Sequence, residues 1–301
     1  MKRAAEYSVA AQVWALREFG DVGPRSFRAL MAQFGNLAAI LESEIEDLQK
    51  VEGLAEKRAK KIAQSFHSLA KSEKYLNVLK EREIGFSTVF DTDYPPLIME
   101  LNDPPPIIFY RGSLPAPNEK TVALVGSHKA TGEGIALAVE LASQLAQHSV
   151  SIVSGLARGI DTAAHIGALK GGGKTYALLG SGFDHIYPEE NLSLVSEIIK
   201  QGGIISEYSP ETTYSDGRLI ARNRLTVGLS QVVIVGEIFG DSAGTLDTAT
   251  VCHELGKLMF ILIDGCDNPG KDNAGVEKVL AMGAVPISLE KGVDIILKCL
   301  V

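Results

Sequence analysis

From about residue 8 to residue 80, apolar positions recur at spacings of three and four, the pattern of short amphipathic helices interrupted by glycine-centred turns. Between residues 81 and 118 that pattern breaks. Clustered prolines forbid long regular structure there, and only one short strand, 107–111, is predicted. From Lys120 onward the apolar positions instead form compact runs at 121–126, 151–154, 175–180, 203–206, 231–236, 258–263 and 284–287, each separated by one helical segment. Continuous apolar strands alternating with helices predict an α/β fold: a doubly wound, mostly parallel Rossmann-like sheet covered on both faces. The predicted layout is a small helical domain over 1–80, a proline-rich connector over 81–118 and the Rossmann-like domain over 119–301.

Within the helical part, the stretches 20–30 and 50–62 resemble each other. Each reads as an apolar residue, a polar residue, a glycine turn and then a basic amphipathic helix, the outline of a helix-hairpin-helix unit. Such a turn exposes backbone N–H groups and a helix N-terminus to a phosphate. Lys57, Arg58, Lys60 and Lys61 around Gly53 suit that contact, or they are a solvated basic face.

In a doubly wound sheet, ligands bind outside the carboxyl ends of the strands, so candidate chemistry is sought in the strand-to-helix loops. The segment GGGKT, 171–175, ends like a nucleotide-hydrolase phosphate loop, but that loop needs a glycine at 168, where Ala168 stands. GGGKT also follows a helical segment and opens a strand, the wrong side of the sheet. It reads as a helix cap and turn. Four other loops have the right placement. The first holds Gly126, Ser127, His128 and Lys129 ahead of a helix beginning near Gly134, without the spacing of a dinucleotide site. In the second, Ser154, Gly155, Arg158 and Gly159 precede Asp161, a candidate helix cap. In the third, Phe183 and Tyr187 either stack on a base or pack the loop, with Asn191 beyond them. The fourth, with Ser242, Gly244 and Thr245 at a helix start, favours an anion. Arg222, Asn223 and Arg224 add two guanidinium forks, suited to phosphate and base edges or to an ion pair with Asp216 or Glu237.

Composition changes this picture only in places. With 46% hydrophobic residues but no apolar run near bilayer length and no secretory signal pattern, a cytoplasmic protein with no membrane association is expected. The isolated Cys252, Cys266 and Cys299, with no CxxC or HExxH spacing, give no reason to expect a metal, and no other cofactor is expected. Cys252 beside His253 is read as a buried thiol rather than a catalytic pair. The net charge of −8 opposes a polyanion, yet residues 1–80 carry 13 Lys and Arg against 10 Asp and Glu. A polyanion would have to meet a local basic patch.

The motifs at Tyr94 to Pro95, 101–112, 125–127, 154–165, 180–191 and 222–224, in that order, resemble the DprA/Smf family of DNA-processing proteins, and the likeness covers nearly the whole chain. The resemblance implies a non-enzymatic protein that binds single-stranded DNA, often as a homodimer, and helps load a RecA-type recombinase in DNA uptake, recombination or repair. Carried across by position, its DNA pocket involves Gly126, Ser127, Ser154, Gly155, Arg158, Gly159, Asn191, Arg222 and Arg224. Two departures stand out. His128 replaces the family's usual arginine, with Lys129 able to compensate, and the fourth loop ends GTLD at Asp247. That ending resembles the LOG-type nucleotide phosphoribohydrolases, in which a carboxylate and an arginine act at a glycosidic bond, and it supplies the alternative reading of a nucleotide hydrolase or noncatalytic sensor.

Overall fold

The computed structural model describes residues 3–240, 242–264 and 274–300; Asp241 and Cys266 lie outside them. The chain divides into two compact units, one of residues 1–94 and 102–109, the other of 95–101 and 110–301. The predicted connector is thus shared between them, and it is more ordered than its prolines suggest.

In the first unit, helices run over Val9–Trp14 (α1), Pro24–Phe34 (α2), Leu37–Leu41 (α3), Ile45–Leu48 (α4), Glu56–Ser65 (α5) and Leu69–Glu81 (α6). Both hairpin turns form. Gly53 takes φ +76°, which glycine adopts without penalty, and Pro24 opens α2 where its missing N–H costs nothing. Lys61 of α5 reaches back to Asp21 in the first turn at 3.0 Å, tying the two repeats together. A strand that the pattern did not predict, Gly85–Thr88 (β1), follows α6. It is short, and its first two residues are only half-buried, so alternation is too brief to read. The strand Ile107–Gly112 (β2) extends one residue past its predicted end.

The second unit opens on a single helical turn, Pro96–Met99 (α7), started by Pro96 at its first position, where proline is tolerated; the proline-rich sequence had hidden it. Strands Thr121–Val125 (β3), Ser151–Ser154 (β4), Thr175–Leu179 (β5), Gly203–Ser206 (β6), Val232–Val235 (β7), Leu258–Leu262 (β8) and Val285–Ile287 (β9) match the predicted runs within two residues at each end. They alternate with Gly132–Gln147 (α8), Ile160–Lys170 (α9), Leu192–Gln201 (α10), Asp216–Ala221 (α11), Asn223–Gly228 (α12), Ala243–Glu254 (α13), Ala274–Ala281 (α14) and Leu289–Cys299 (α15). The strand order in this unit is β6-β5-β4-β3-β7-β8-β9, and every neighbouring pair is parallel.

Because strand side chains alternate between faces, one core collects Val122, Leu124, Ile152 and Ile234 against α8, α9 and α15. The other collects Ala123, Val125, Val233 and Ile261 against α12, α13 and α14, with Cys252 buried in it. Double coverage is why the runs read as continuous rather than alternating. GGGKT behaves as expected. Helix α9 ends at Lys170, Gly171 caps it, Gly172 turns at φ +74°, and Lys174 pairs with Glu119 at 3.0 Å. The order also fixes where a ligand fits. Chain progression runs from β3 outward through β4 on one side and β7 on the other, so the loops after β3 and β7 part at a topological switch point.

Candidate functional site

The loop after β3 is held from across the switch point. Ser127 N–H donates to the Glu237 carbonyl at 2.8 Å, and Glu237's carboxylate accepts from Thr131 N–H at 2.5 Å and Thr131 Oγ1 at 2.8 Å. Thr131 in turn accepts from Gly134 N–H at 3.0 Å, so it caps α8, which starts at Gly132 rather than near Gly134. His128 and Lys129 are left exposed at the loop's tip.

The loop after β4 lies against the first. Gly159 sits at φ +72°, and a Cβ there would collide with the Ser127 carbonyl oxygen. Only glycine allows that approach. Gly126 is as constrained, since a Cβ would stand 2.6 Å from the Ile160 side chain. Ser154 Oγ donates to the Leu124 carbonyl at 2.7 Å, joining β4 to β3. Asp161, expected as a helix cap, lies instead inside the first turn of α9, whose cap is Gly159. Its Oδ2 accepts from Gly155 N–H at 3.0 Å and Ala157 N–H at 3.4 Å, because the loop doubles back over it.

Arg222 approaches from the α11–α12 junction beneath these loops. It is buried, and its Nη1 donates to the carbonyls of Gly155 and Leu178. Burial lowers its guanidinium and raises the Asp161 carboxyl, each charge opposing the other's shift. Arg222 therefore supports the cavity floor rather than reaching outward. Arg224 pairs with Glu207 at 2.7 Å, since α12 turns it toward the end of β6. Asn223 donates to Asp247 Oδ2 at 2.9 Å and to the Gly244 carbonyl at 3.2 Å, anchoring the start of α13. The predicted guanidinium clamp is thus largely internal framework, which helical phase decided and adjacency in sequence did not show.

Two further expected contacts are also internal. Phe183 is buried in the turn Phe183–His185, so its ring packs the third loop down instead of facing a base. Asn191 is buried, and its Nδ2 donates to the Leu156 carbonyl and Thr162 Oγ1, both at 2.9 Å. It fixes the second loop. Arg158, by contrast, stays at the surface with a bidentate pair to Glu190 at 2.7 and 2.8 Å and a 3.1 Å bond to the Tyr187 hydroxyl.

Between these groups lies a cavity of about 260 Å³ whose lining includes Gly126, His128, Gly155, Arg158, Tyr187 and Arg222. A second, open hollow of about 620 Å³ adjoins it and is lined by Ser127, His128, Lys129, Ser242, Gly244 and Thr245. His128, Gly244 and Thr245 border both. Ser127 Oγ and Ser242 Oγ lie 2.9 Å apart, joining the first and fourth loops. Backbone N–H groups at the start of α13, small side chains and a nearby lysine suit an anion. Asp247, the carboxylate that the hydrolase alternative needs, is engaged by Asn223, which itself borders the smaller cavity.

In the first unit, Lys57, Arg58 and Lys61 border a separate hollow of about 270 Å³ beside Gly53. Lys60 is paired with Glu56 at 2.5 Å, so the basic face is partly neutralised by its own helix. No helix among the described residues is long and apolar enough to cross a membrane.

A parallel doubly wound domain with loops gathered at a switch point, together with tandem helical hairpins, defines a class of Rossmann-like proteins that take a ligand at the strand ends. Residues 85–299 match the family described as DNA recombination-mediator protein A, and residues 16–68 match the SAM-like helix-hairpin-helix tandem. The chain belongs to the former family, the DprA/Smf proteins. It is 32% identical over 288 residues to Protein Smf of Synechocystis, covering 90% of this chain and 72% of that one. It is 39% identical over 187 residues to DprA of Streptococcus pneumoniae, covering 60% and 66%. The crystal structure of the pneumococcal protein superposes with a TM-score of 0.78 at 26% identity, covering 96% of this chain and 98% of that one. A structure from Helicobacter pylori DprA, described by its single-stranded-DNA binding mode, gives 0.62 at 28% identity over 71% of this chain and 96% of that one.

Proposed function

We propose that this protein binds single-stranded DNA at the two adjoining hollows and assists the loading of a RecA-type recombinase. The observation that carries the reading is the convergence of the β3 and β4 loops and the α13 N-terminus on a continuous depression bordered by Lys129 and Arg158. Membership of the family supports DNA as the polyanion. Backbone phosphates would meet Lys129 and the N–H groups of Ser242 to Thr245, and a base would enter the smaller cavity. His128, standing where relatives are expected to carry arginine, lacks the planar fork that grips a phosphate with two hydrogen bonds. Lys57 and Arg58 would provide a second phosphate contact on the helical unit.

A homodimer belongs to the same proposal. Leu258, Leu280 and Val285 are exposed apolar residues on β8, α14 and β9 at the end of the strand order, and Ile263 follows β8 directly. The decisive experiment is fluorescence anisotropy with labelled oligo(dT) and a matched duplex. Tighter binding to the single strand that weakens as salt rises is expected. No salt-sensitive binding at low ionic strength would overturn the reading.

A further inference from the structure

Outside the two hollows, the ring of Tyr214 stands on that of Tyr187 with centroids 4.4 Å apart and planes 24° from parallel. Tyr187 itself borders the smaller cavity and accepts, at its hydroxyl, the 3.1 Å bond from Arg158. Arg158's guanidinium carbon lies 5.6 Å from the Tyr187 ring centroid. Tyr214 is 49% exposed, although a tyrosine in a polar segment could fold its ring away. The segment that carries it is firmly set. Arg218 donates to the Thr213 carbonyl at 3.0 Å while its guanidinium carbon lies 5.6 Å from the Tyr208 ring centroid, and Ser215 caps α11 at the Arg218 N–H. Asp216, Leu219 and Ile220, which follow, border the same cavity as Tyr187.

We propose that the Tyr187–Tyr214 stack is a second nucleobase subsite, on which a base adjacent to the one in the cavity stacks against Tyr214. The inference rests on the single-strand reading above. Charge says why the contact is a base rather than a phosphate. Glu190, held on the Arg158 that touches Tyr187, and Asp216, which borders the same cavity, are exposed carboxylates that would repel the backbone. The face of a base is neutral, and every base has one, so stacking needs no sequence. Preformed stacking of the two rings holds Tyr214 in place, so little ordering remains to oppose binding.

The test compares wild type, Tyr214→Ala and Tyr214→Phe with oligo(dT) and with the same strand made abasic throughout. Tyr214→Ala is expected to lose about tenfold in affinity for oligo(dT), nothing for the abasic strand, and Tyr214→Phe is expected to match wild type. Tyr214→Trp is expected to show fluorescence quenched by oligo(dT) and not by the abasic strand. Equal losses on both strands would make Tyr214 a support for its segment, and unchanged oligo(dT) binding in Tyr214→Ala would remove it from the site; either overturns the subsite. Wild type that binds neither strand overturns the single-strand reading itself.

Discussion

Arg158 shows how much a single residue's neighbours decide. Its fork is already filled by Glu190, which stands where a phosphate would bind, and both side chains are about half exposed. The pairing holds the Glu190 carboxyl below the usual carboxylate range through its hydrogen bond with Arg158. Glu190→Gln should therefore raise affinity for oligo(dT) about two- to fivefold, the range expected for an exposed pair. Arg158→Ala should abolish that gain, and a gain that survives would mark general repulsion instead. His165 offers a different test. Thr175 Oγ1 donates to the Ile152 carbonyl at 2.8 Å and so accepts from His165 Nδ1 at 2.7 Å, and burial first, then Arg222, pushes the imidazole down to about 3. The unfolded chain takes up that proton near pH 6.5 and the folded one does not, so the stability contribution is present above about 6.5 and falls by about 1.4 kcal/mol per pH unit toward 3. Urea melts across that window should be flatter in His165→Gln.

Among the elements, α12 is short and amphipathic in no obvious way, yet it carries Asn223 and Arg224. Its C-terminal end is finished by Lys257, whose ammonium donates to the carbonyls of Val227, Gly228 and Ser230 at 3.0, 3.1 and 2.7 Å. A cation at a helix C-terminus satisfies carbonyls that have no helical partner. Lys257→Ala should cost about 1–3 kcal/mol of stability, measured by denaturant melting, with oligo(dT) affinity retained where the protein is folded. Elements with strong period were legible from the chain: seven apolar runs became β3 to β9. Those without it were not, which is why β1 and α7 were missed and why the basic triplet's direction was open until α11 and α12 set its helical phase.

For the molecule as a whole, net charge of −8 is the condition under which a polyanion must bind. Of the basic side chains predicted to contact it, Arg222 and Arg224 are committed internally, leaving Lys129 and, once released from Glu190, Arg158 at the hollows. Each phosphate neutralised on a single strand contributes about 0.7 to the slope of log affinity against log salt. Two contacts predict a slope of about −1.4 per site. The second contact proposed at Lys57 and Arg58 would steepen the slope further, by an amount that Lys57→Ala and Arg58→Ala remove.

The sequence alone determined the α/β class, the parallel sheet and the loops in which a ligand is to be sought, because backbone geometry imposes periods on burial that any chain must display. It also disposed of GGGKT as a phosphate loop, since its place after a helix contradicted its composition. Which side chains face that ligand was decided only by tertiary structure. Arg222, Asn191 and Phe183 have the chemistry of contacts and the positions of framework, while Tyr214 is brought from 27 residues away in sequence onto Tyr187. Residue type fixes what a group can bind, but the direction in which it points depends on helix phase and on partners distant in the chain, and neither has a local signature.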